Sequence, residues 1–442
     1  MKESAGGLRD VHTAMWLGAA KFGARTLREL SDKGLITPRE QASTDAALTF
    51  LWRVRNELHF FSGHKNDVLV ARPAAAHREE PRLRERRDLA RRRALHARLL
   101  PARARDPPRL APADRALPGD AVAARLGRAG ASAQQALADG LVFFDGQLHL
   151  ADRDSGPLRA EPTRLMKVFW HLHRLGCELS LDLERALEDS LVPRRTARSS
   201  DRSPVRDLFL DICRTWGRVA QTFSEMHELG LLGRFLPEFG ALTCLVQYDV
   251  YHKFSVDQHS LLAVEHLEAL APGQSAESEG AAQVLSEVEK PELLMLGMLL
   301  HDVGKAEGHG HVAKGIPLIR ELVTRLELDP EDGALVEFLV AHHLTMSHIA
   351  QRRDIDDPKT IADFAATAGD PQRLRMLYLL TWADMRAVGP GVLTPWQATI
   401  LHELYTRTLA RLTGGRRERP SRTQLAERLR VARRRRALAR RR

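Results

Sequence analysis

The chain has 442 residues, enough for two or three domains, and its abundant Leu and Ala with few alternating Val/Ile/Tyr runs predict a mainly α-helical protein. It contains neither an apolar secretory segment near the N-terminus nor an apolar run of the roughly 20 residues that span a bilayer, so we expect a cytoplasmic protein without a membrane partner. Its net charge of +10 is concentrated in two Arg-rich segments that lack Lys and interleaved aromatic residues, which argues against nucleic-acid binding.

Residues 1–70 predict two or three helices. The segments "LRDVHTAMWLGAAKFG", from Leu8, and "DAALTFLWRVRNELHFFSG", from Asp45, have apolar residues at helical spacing. Gly34 and Pro38 lie between them and predict an inter-helix turn.

The composition changes in residues 71–132, which contain 16 Arg and 7 acidic residues, no Lys, and no apolar period. Residues 414–442 are similar, with 13 Arg and 2 acidic residues, so the remaining chain carries a net charge of −10. Two interpretations stay open for these segments. One is a disordered basic linker and tail, and the other is out-of-frame translation of a GC-rich coding region.

Ordinary patterning resumes at about residue 133. The segment "DGLVFFDGQLHLAD" predicts a hairpin with Asp145-Gly146 as its turn, and helices follow up to residue 241. The three cysteines, Cys177, Cys213 and Cys244, are far apart and outside any Cys-x-x-Cys motif. They predict reduced, buried thiols and exclude both a disulfide framework and a cysteine zinc site.

Residues 242–413 predict helices throughout and are rich in histidine. Six side chains lie on or at the end of apolar helices and are candidate metal ligands: His259, His301, Asp302, His311, His343 and Asp384. A buried carboxylate or charged imidazole is costly unless it is paired or bound to a cation, so their convergence would suit a metal. Imidazole with carboxylate suits Mn, Fe, Co or Zn, and a carboxylate-rich site also suits Mg. Other histidines remain less certain: His266, His342 and His348 are typical of core or surface positions, and His252 and His309 are left open.

The order of these residues, with the segment "HDVGK" at 301–305, resembles the HD-domain phosphohydrolases, whose domain is all-helical. The resemblance implies that His259, His301, Asp302 and Asp384 hold one divalent metal, Mg²⁺ or Mn²⁺. It implies that His311 and His343 match the second-metal positions of two-metal members. Asp302 and Lys305 are then the catalytic candidates, because a metal-activated water would attack phosphorus while Lys305 offers a positive charge to the developing oxyanion. We expect the helix that carries the doublet to end near Gly304.

Further segments resemble the bacterial PII-protein uridylyltransferase/uridylyl-removing enzymes. They are "KESAGGLRDVHTAMW", "FLWRVRNELHFFSGHKNDVL", "ELGLLGRFLPEFG", "QYDVYHKFSVDQHSL", "HLTMSHIAQRRDIDDP" and "LTWADMRAVGPGVLTPWQATILHELY". The resemblance implies nitrogen regulation, in which the enzyme attaches UMP to a tyrosine of the PII signal protein and removes it when glutamine is high. The implied plan is a nucleotidyltransferase domain, a helical linker, an HD domain and two glutamine-binding ACT domains.

The sequence departs from this plan at both ends. It has no counterpart of the Gly-Ser loop and closely spaced Asp pair that hold Mg²⁺ and nucleotide in the transferase domain, and none of the ACT domains. We therefore expect a truncated chain with a transferase remnant in 1–70, a helical linker in 133–241, an HD domain in 242–413 and a basic tail in 414–442.

The expected activity is metal-dependent hydrolysis that removes UMP from uridylylated PII protein, without transferase activity. Two alternatives stay open. The HD domain could act on a free nucleotide, or the chain could be a non-catalytic remnant that binds a PII-like partner.

Overall fold

The computed structural model describes residues 8–65, 67, 135–151, 162–190, 203–246, 254–271, 279–389 and 391–414. These residues form a mainly α-helical protein, which confirms the predicted fold class. The Arg-rich residues 71–132, and all of 414–442 except its first residue, lie outside the described residues. Both interpretations of these segments therefore stay predictions.

The N-terminal part forms three helices: α1 (Leu8–Phe22), α2 (Leu27–Asp32) and α3 (Pro38–Ser62). A capping box starts α3, because the Thr37 hydroxyl accepts a hydrogen bond from the backbone N–H of Glu40 and the Glu40 carboxylate accepts one from the N–H of Thr37. Helices α1 and α3 pack through a small apolar cluster of Leu8, Leu51 and Val54. The predicted two or three helices are confirmed.

A small sheet follows, with four strands in chain order: β1 (Gln135–Ala136), β2 (Leu141–Phe144), β3 (Gln147–Leu150) and β4 (Glu178–Leu179). Strands β2 and β3 form the predicted hairpin, whose turn residues Asp145 and Gly146 have φ values of 51° and 73°. Positive φ at both positions is the backbone that an Asp-Gly hairpin turn requires. Strand β1 pairs antiparallel with β2, and β4 pairs parallel with β3.

Six helices lie between residues 162 and 240: α4 (Pro162–Leu175), α5 (Leu181–Ser190), α6 (Ser203–Arg214), α7 (Val219–Glu228), α8 (Leu231–Phe235) and α9 (Pro237–Gly240). Their apolar faces join the main core, where Phe209 stacks on Phe223 with ring centroids 5.3 Å apart. The start of α3 is tied to α5 by an ion pair between Glu40 and Arg185, 3.2 Å apart. All three cysteines are buried free thiols, as predicted.

Nine helices complete the described chain: α10 (Val256–Glu268), α11 (Glu279–Leu285), α12 (Pro291–Leu300), α13 (His311–Arg325), α14 (Pro330–His342), α15 (Thr345–Arg352), α16 (Pro358–Ala368), α17 (Pro371–Val388) and α18 (Pro395–Leu412). Five of them begin with proline, at Pro291, Pro330, Pro358, Pro371 and Pro395. Proline suits the first turn because the N–H it lacks would have no partner within the helix.

Helix α12 lies at the centre of this part of the molecule. Every residue from Glu292 to Leu300 is buried, as expected for a helix that is apolar on all sides. A side chain at Gly297 would begin 2.7 Å from a methyl group of Leu339, so the glycine lets α14 pack closely against α12. The helix therefore carries the His301-Asp302 doublet into the interior. None of the described helices, α12 included, combines the length and apolar character that a bilayer crossing requires.

Candidate metal centre

The six candidate ligands come together among the helices of the C-terminal part. His259 lies on α10, Asp384 on α17 and His311 at the start of α13, while His301 directly follows α12 and His343 directly follows α14. The side chains of His259, His301, Asp302 and His343 are at most 3% exposed. Those of Asp384 and His311 are 14% and 23% exposed, which marks the open side of the site.

The first group contains His259, His301, Asp302 and Asp384. Nε2 of His259 lies 3.0 Å from Oδ1 of Asp384 and 3.7 Å from Oδ2 of Asp302. Nε2 of His301 lies 3.2 Å from the same Asp302 oxygen and 3.6 Å from Oδ1 of Asp384. Two imidazole nitrogens thus face two carboxylates at distances that a single ion could bridge.

The second group shares Asp302 with the first. Its other oxygen, Oδ1, lies 3.6 Å from Nε2 of His311 and 3.7 Å from Nε2 of His343, and the two imidazole nitrogens are 3.4 Å apart. Asp302 therefore offers one oxygen to each group. This is the arrangement of a carboxylate between two metal positions.

A break in the helix makes this arrangement possible. The α-helix ends at Leu300, and a 3₁₀ helix at Val303–Glu307 begins with Asp302 as its N-cap, at φ −106° and ψ 10°. The expected end near Gly304 was therefore too late. Because the chain leaves the regular helix at the doublet, adjacent side chains can converge instead of diverging by the ~100° of a helix. Lys305 consequently does not continue the face of α12, and its Nζ lies 2.6 Å from Oδ2 of Asp302.

Two of the candidate ligand histidines are oriented in the same way by backbone carbonyls. Nδ1 of His301 donates to the carbonyl of Met298 at 2.8 Å, and Nδ1 of His343 donates to that of Val340 at 2.7 Å. Each carbonyl lies three residues before its histidine, in the last turn of the helix. A histidine that directly follows a helix end is therefore the sequence feature that could have predicted these contacts. With the proton on Nδ1, the neutral ring presents its lone pair at Nε2, which is how a metal-binding imidazole is held.

The buried Nε2 atom of His301 provides a test of whether a cation fits. It makes no hydrogen bond to any described residue, although a carboxylate oxygen lies 3.2 Å away. A neutral imidazole lone pair facing a carboxylate is unfavourable unless a proton or a metal ion lies between them. The donor set fits a first-row divalent metal, because two buried imidazole nitrogens and two carboxylates converge in the first group.

The charged groups of the site also favour a bound cation. Burial lowers the pKa of His301, but Asp302 and Asp384 outweigh it and raise that pKa to about 10. Burial would raise the pKa of Asp302, yet His301 and Lys305 hold it well below its usual range. Burial lowers the pKa of His343 to about 4. Two ionised carboxylates therefore surround His301, and their negative charge favours either a proton on Nε2 of His301 or a divalent cation in its place.

The other histidines considered as ligands lie outside both groups wherever the structure describes them. Within the described part of the chain, His266, His309, His342 and His348 lie outside both clusters. Nδ1 of His342, for example, contacts the Thr345 hydroxyl at 3.3 Å instead of turning to the site. His252 lies outside the described residues, so its assignment stays open.

Comparison with known families gives two matches along the chain. Residues 1–97 match the family described as GlnD PII-uridylyltransferase, and residues 256–375 match the HD domain. The HD match includes five of the six candidate ligands and ends before Asp384, which the structure nevertheless brings to within 3.0 Å of His259.

Curated relatives match the chain over most of its length. A bifunctional uridylyltransferase/uridylyl-removing enzyme from Phenylobacterium zucineum is 35% identical over 433 residues, which cover 94% of this chain and 45% of the relative. The enzymes of the same name from Rhodospirillum rubrum and Erythrobacter litoralis are 32% and 33% identical, covering 94% of this chain and 44% and 45% of their own lengths. The chain thus spans a little under half the length of these relatives. It belongs to the family of bifunctional uridylyltransferase/uridylyl-removing enzymes.

Proposed function

We propose that residues 242–413 form an HD domain that removes UMP from uridylylated PII protein by hydrolysis. The observation that carries this proposal is the position of Asp302, whose two oxygens each face a separate pair of histidines. The relationship to enzymes named uridylyl-removing supports the choice of substrate. The reaction would take place in the cytoplasm as a step of nitrogen regulation.

The residues of the site have separate roles in this reaction. His259, His301, Asp302 and Asp384 would hold one divalent metal, and His311 and His343 would hold a second one together with Asp302. When bound, such metals activate a water molecule and neutralise charge on the phosphoryl oxygens. Lys305 is buried beside Asp302 and supplies a positive charge to the oxyanion that develops on phosphorus.

The chemistry of the bond supports a site built from metal ligands and one lysine. Water adds to the phosphorus of the tyrosyl phosphodiester, the bond from phosphorus to the phenolic oxygen breaks, and UMP and unmodified protein leave. A phenolate, with a pKa near 10, leaves more easily than an alkoxide and has less need of a strong general acid. The more exposed side chains of Asp384 and His311 indicate the side from which the substrate would enter.

The metal is proposed to be Mg²⁺ or Mn²⁺. Four imidazoles among six ligands favour Mn²⁺, since Mg²⁺ prefers oxygen ligands and retains several waters. The proposal concerns the HD domain and not the nucleotidyltransferase domain of the family. Residues 1–70 are proposed to be the C-terminal part of that domain, and 133–241 a helical linker.

The direct test is UMP release from uridylylated PII protein by the purified chain with Mn²⁺ or Mg²⁺. We expect release that disappears in Asp302→Ala and persists in Asp363→Ala, which changes an exposed aspartate on α16. Hydrolysis of free nucleotides without release from the protein would favour a nucleotide phosphohydrolase instead. A folded, metal-loaded chain that binds the PII protein and releases nothing would mean a non-catalytic remnant.

A further inference from the structure

Gly304 allows an unusually close approach between two backbone segments at the site. It lies in the 3₁₀ helix that follows Asp302, and a Cβ atom placed on it would lie only 1.9 Å from the carbonyl oxygen of His311. The same atom would lie 2.7 Å from the backbone nitrogen of Gly315. Backbone atoms cannot move aside as the end of a flexible side chain can. Any larger residue at 304 must therefore displace the first turn of α13.

Helix α13 supplies a ligand to only one of the two groups. Its first residue, His311, belongs to the second group, where its Nε2 lies 3.6 Å from Asp302 and 3.4 Å from His343. The first group takes its ligands from α10, α17 and the end of α12. A displacement of α13 would consequently separate His311 from the second group while the other helices keep the first group together.

We propose that Gly304 is a positioning residue for the second metal position, because it holds the start of α13, and with it His311, against the turn that carries Asp302. The inference rests on the proposed function only in assuming that both groups bind metal. It predicts that a single methyl group at 304 converts a two-metal site into a one-metal site.

Two other glycines provide matched controls. A Cβ at Gly315, in the same contact, would approach Gly304 and Val340 no closer than 3.5 Å, which is ordinary van der Waals distance. A Cβ at Gly333, at the start of α14, would lie 2.3 Å from a methyl group of Val323, near the end of α13. Gly333→Ala therefore disturbs the packing of α13 on α14 at the end remote from His311.

The experiment is a titration of the metal-free full chain with Mn²⁺. Isothermal calorimetry measures the number of bound ions and their affinities, and electron paramagnetic resonance shows whether two bound ions are coupled. We expect two ions and a coupled spectrum for the wild type, for Gly315→Ala and for Gly333→Ala, the last with a lower Tm. For Gly304→Ala we expect one ion at nearly the wild-type affinity, a second ion weakened by roughly 10- to 100-fold, and the spectrum of an isolated ion.

Several results would overturn the proposal. A Gly304→Ala protein that binds two coupled ions, or that loses both equally, would show that Gly304 does not act on the second position. Wild-type protein that binds only one ion would also overturn the proposal, because there would be no second position for Gly304 to act on. If Gly304→Ala does not fold, His311→Ala decides, because two ions retained in that variant would show that α13 does not supply the second position. Two bound ions without UMP release would instead refute the proposed function alone.

Discussion

Nζ of Lys305 lies 2.6 Å from Oδ2 of Asp302, and both side chains are almost fully buried, at 8% and 3% exposed. The two residues are three positions apart on the 3₁₀ turn, so the contact is local and rigid. The same carboxylate oxygen faces His259 and His301. Lys305 therefore holds Asp302 in place and puts a positive charge beside the proposed reaction.

Replacing Lys305 with methionine should reduce turnover more than metal binding. Lys305→Met keeps most of the side-chain volume but removes the charge, so we expect kcat for UMP release to fall by roughly 10²-fold or more. Bound metal, measured by elemental analysis, should remain, because lysine supplies no ligand. Lys359→Met, which changes an exposed lysine on α16, is the control. Equal losses of kcat and metal content would indicate a structural role instead.

The donor set predicts a preference among metals. Chelation should abolish UMP release, and Mn²⁺ should restore it at a concentration at least about tenfold lower than Mg²⁺, because imidazole is a poor ligand for Mg²⁺. Activity measured against the free concentration of each metal, buffered by a weak chelator, checks this. Half-maximal restoration at equal concentrations would contradict the proposed role of the four imidazoles.

Local signals were sufficient to predict much of the fold. The Asp145-Gly146 turn was predicted because few other pairs tolerate positive φ at both positions, and the long helices followed from apolar spacing. Strand β4 could not be predicted, because it has two residues and pairs with β3 across an intervening helix. Such a pairing is fixed by tertiary packing and leaves almost no periodic pattern in the sequence.

The candidate ligands were also predictable, but their geometry was not. The order of histidines and aspartates indicated which residues converge. That Asp302 divides its oxygens between two groups depends on the end of α12 at Leu300, four residues before the next glycine, Gly304. The role of Gly304 was hidden as well, since the atoms it accommodates belong to the backbone of His311.

His266 should contribute to acid sensitivity of the fold. Burial, together with the positive charge of Arg386, lowers the pKa of His266 to about 4, whereas the unfolded side chain titrates near 6.5. Between these values the unfolded chain binds a proton that the folded chain does not, so the free energy of unfolding decreases as pH falls from about 6.5 towards 4. We expect this slope to be shallower in His266→Gln by up to about 1.4 kcal/mol per pH unit.

Urea denaturation at several pH values between 7.5 and 5 measures this slope. Other histidines contribute equally to the pH dependence of unfolding in the wild type and in His266→Gln. The difference between the two slopes therefore reports His266 alone. His348→Gln, which changes an exposed histidine on α15, is the control. Parallel curves for the wild type and His266→Gln would show that His266 is not protonated differently in the two states.

Glu268 at the end of α10 joins two helices through three backbone hydrogen bonds. Its carboxylate accepts from the N–H groups of Gly217, Val219 and Ala220, at 2.7, 2.6 and 3.0 Å, and thereby caps the start of α7. The residue is 6% exposed, so water does not readily replace these contacts. The pairing links positions about 50 residues apart and could not be predicted from local sequence.

Removing this carboxylate should destabilise the protein without affecting the metal centre. Glu268→Ala leaves three N–H groups without their acceptor, each costing about 1 kcal/mol or more, so we expect the free energy of unfolding to fall by roughly 3 kcal/mol. A lower urea midpoint at an unchanged m-value would report this loss. Glu265→Ala, one turn earlier on the exposed side of α10, should change the midpoint little, because the Glu265 side chain lies in solvent. Metal content should be the same in both variants, since the candidate ligand His259 lies nine residues before Glu268 on α10. A loss of metal in Glu268→Ala alone would mean that this cap also positions His259.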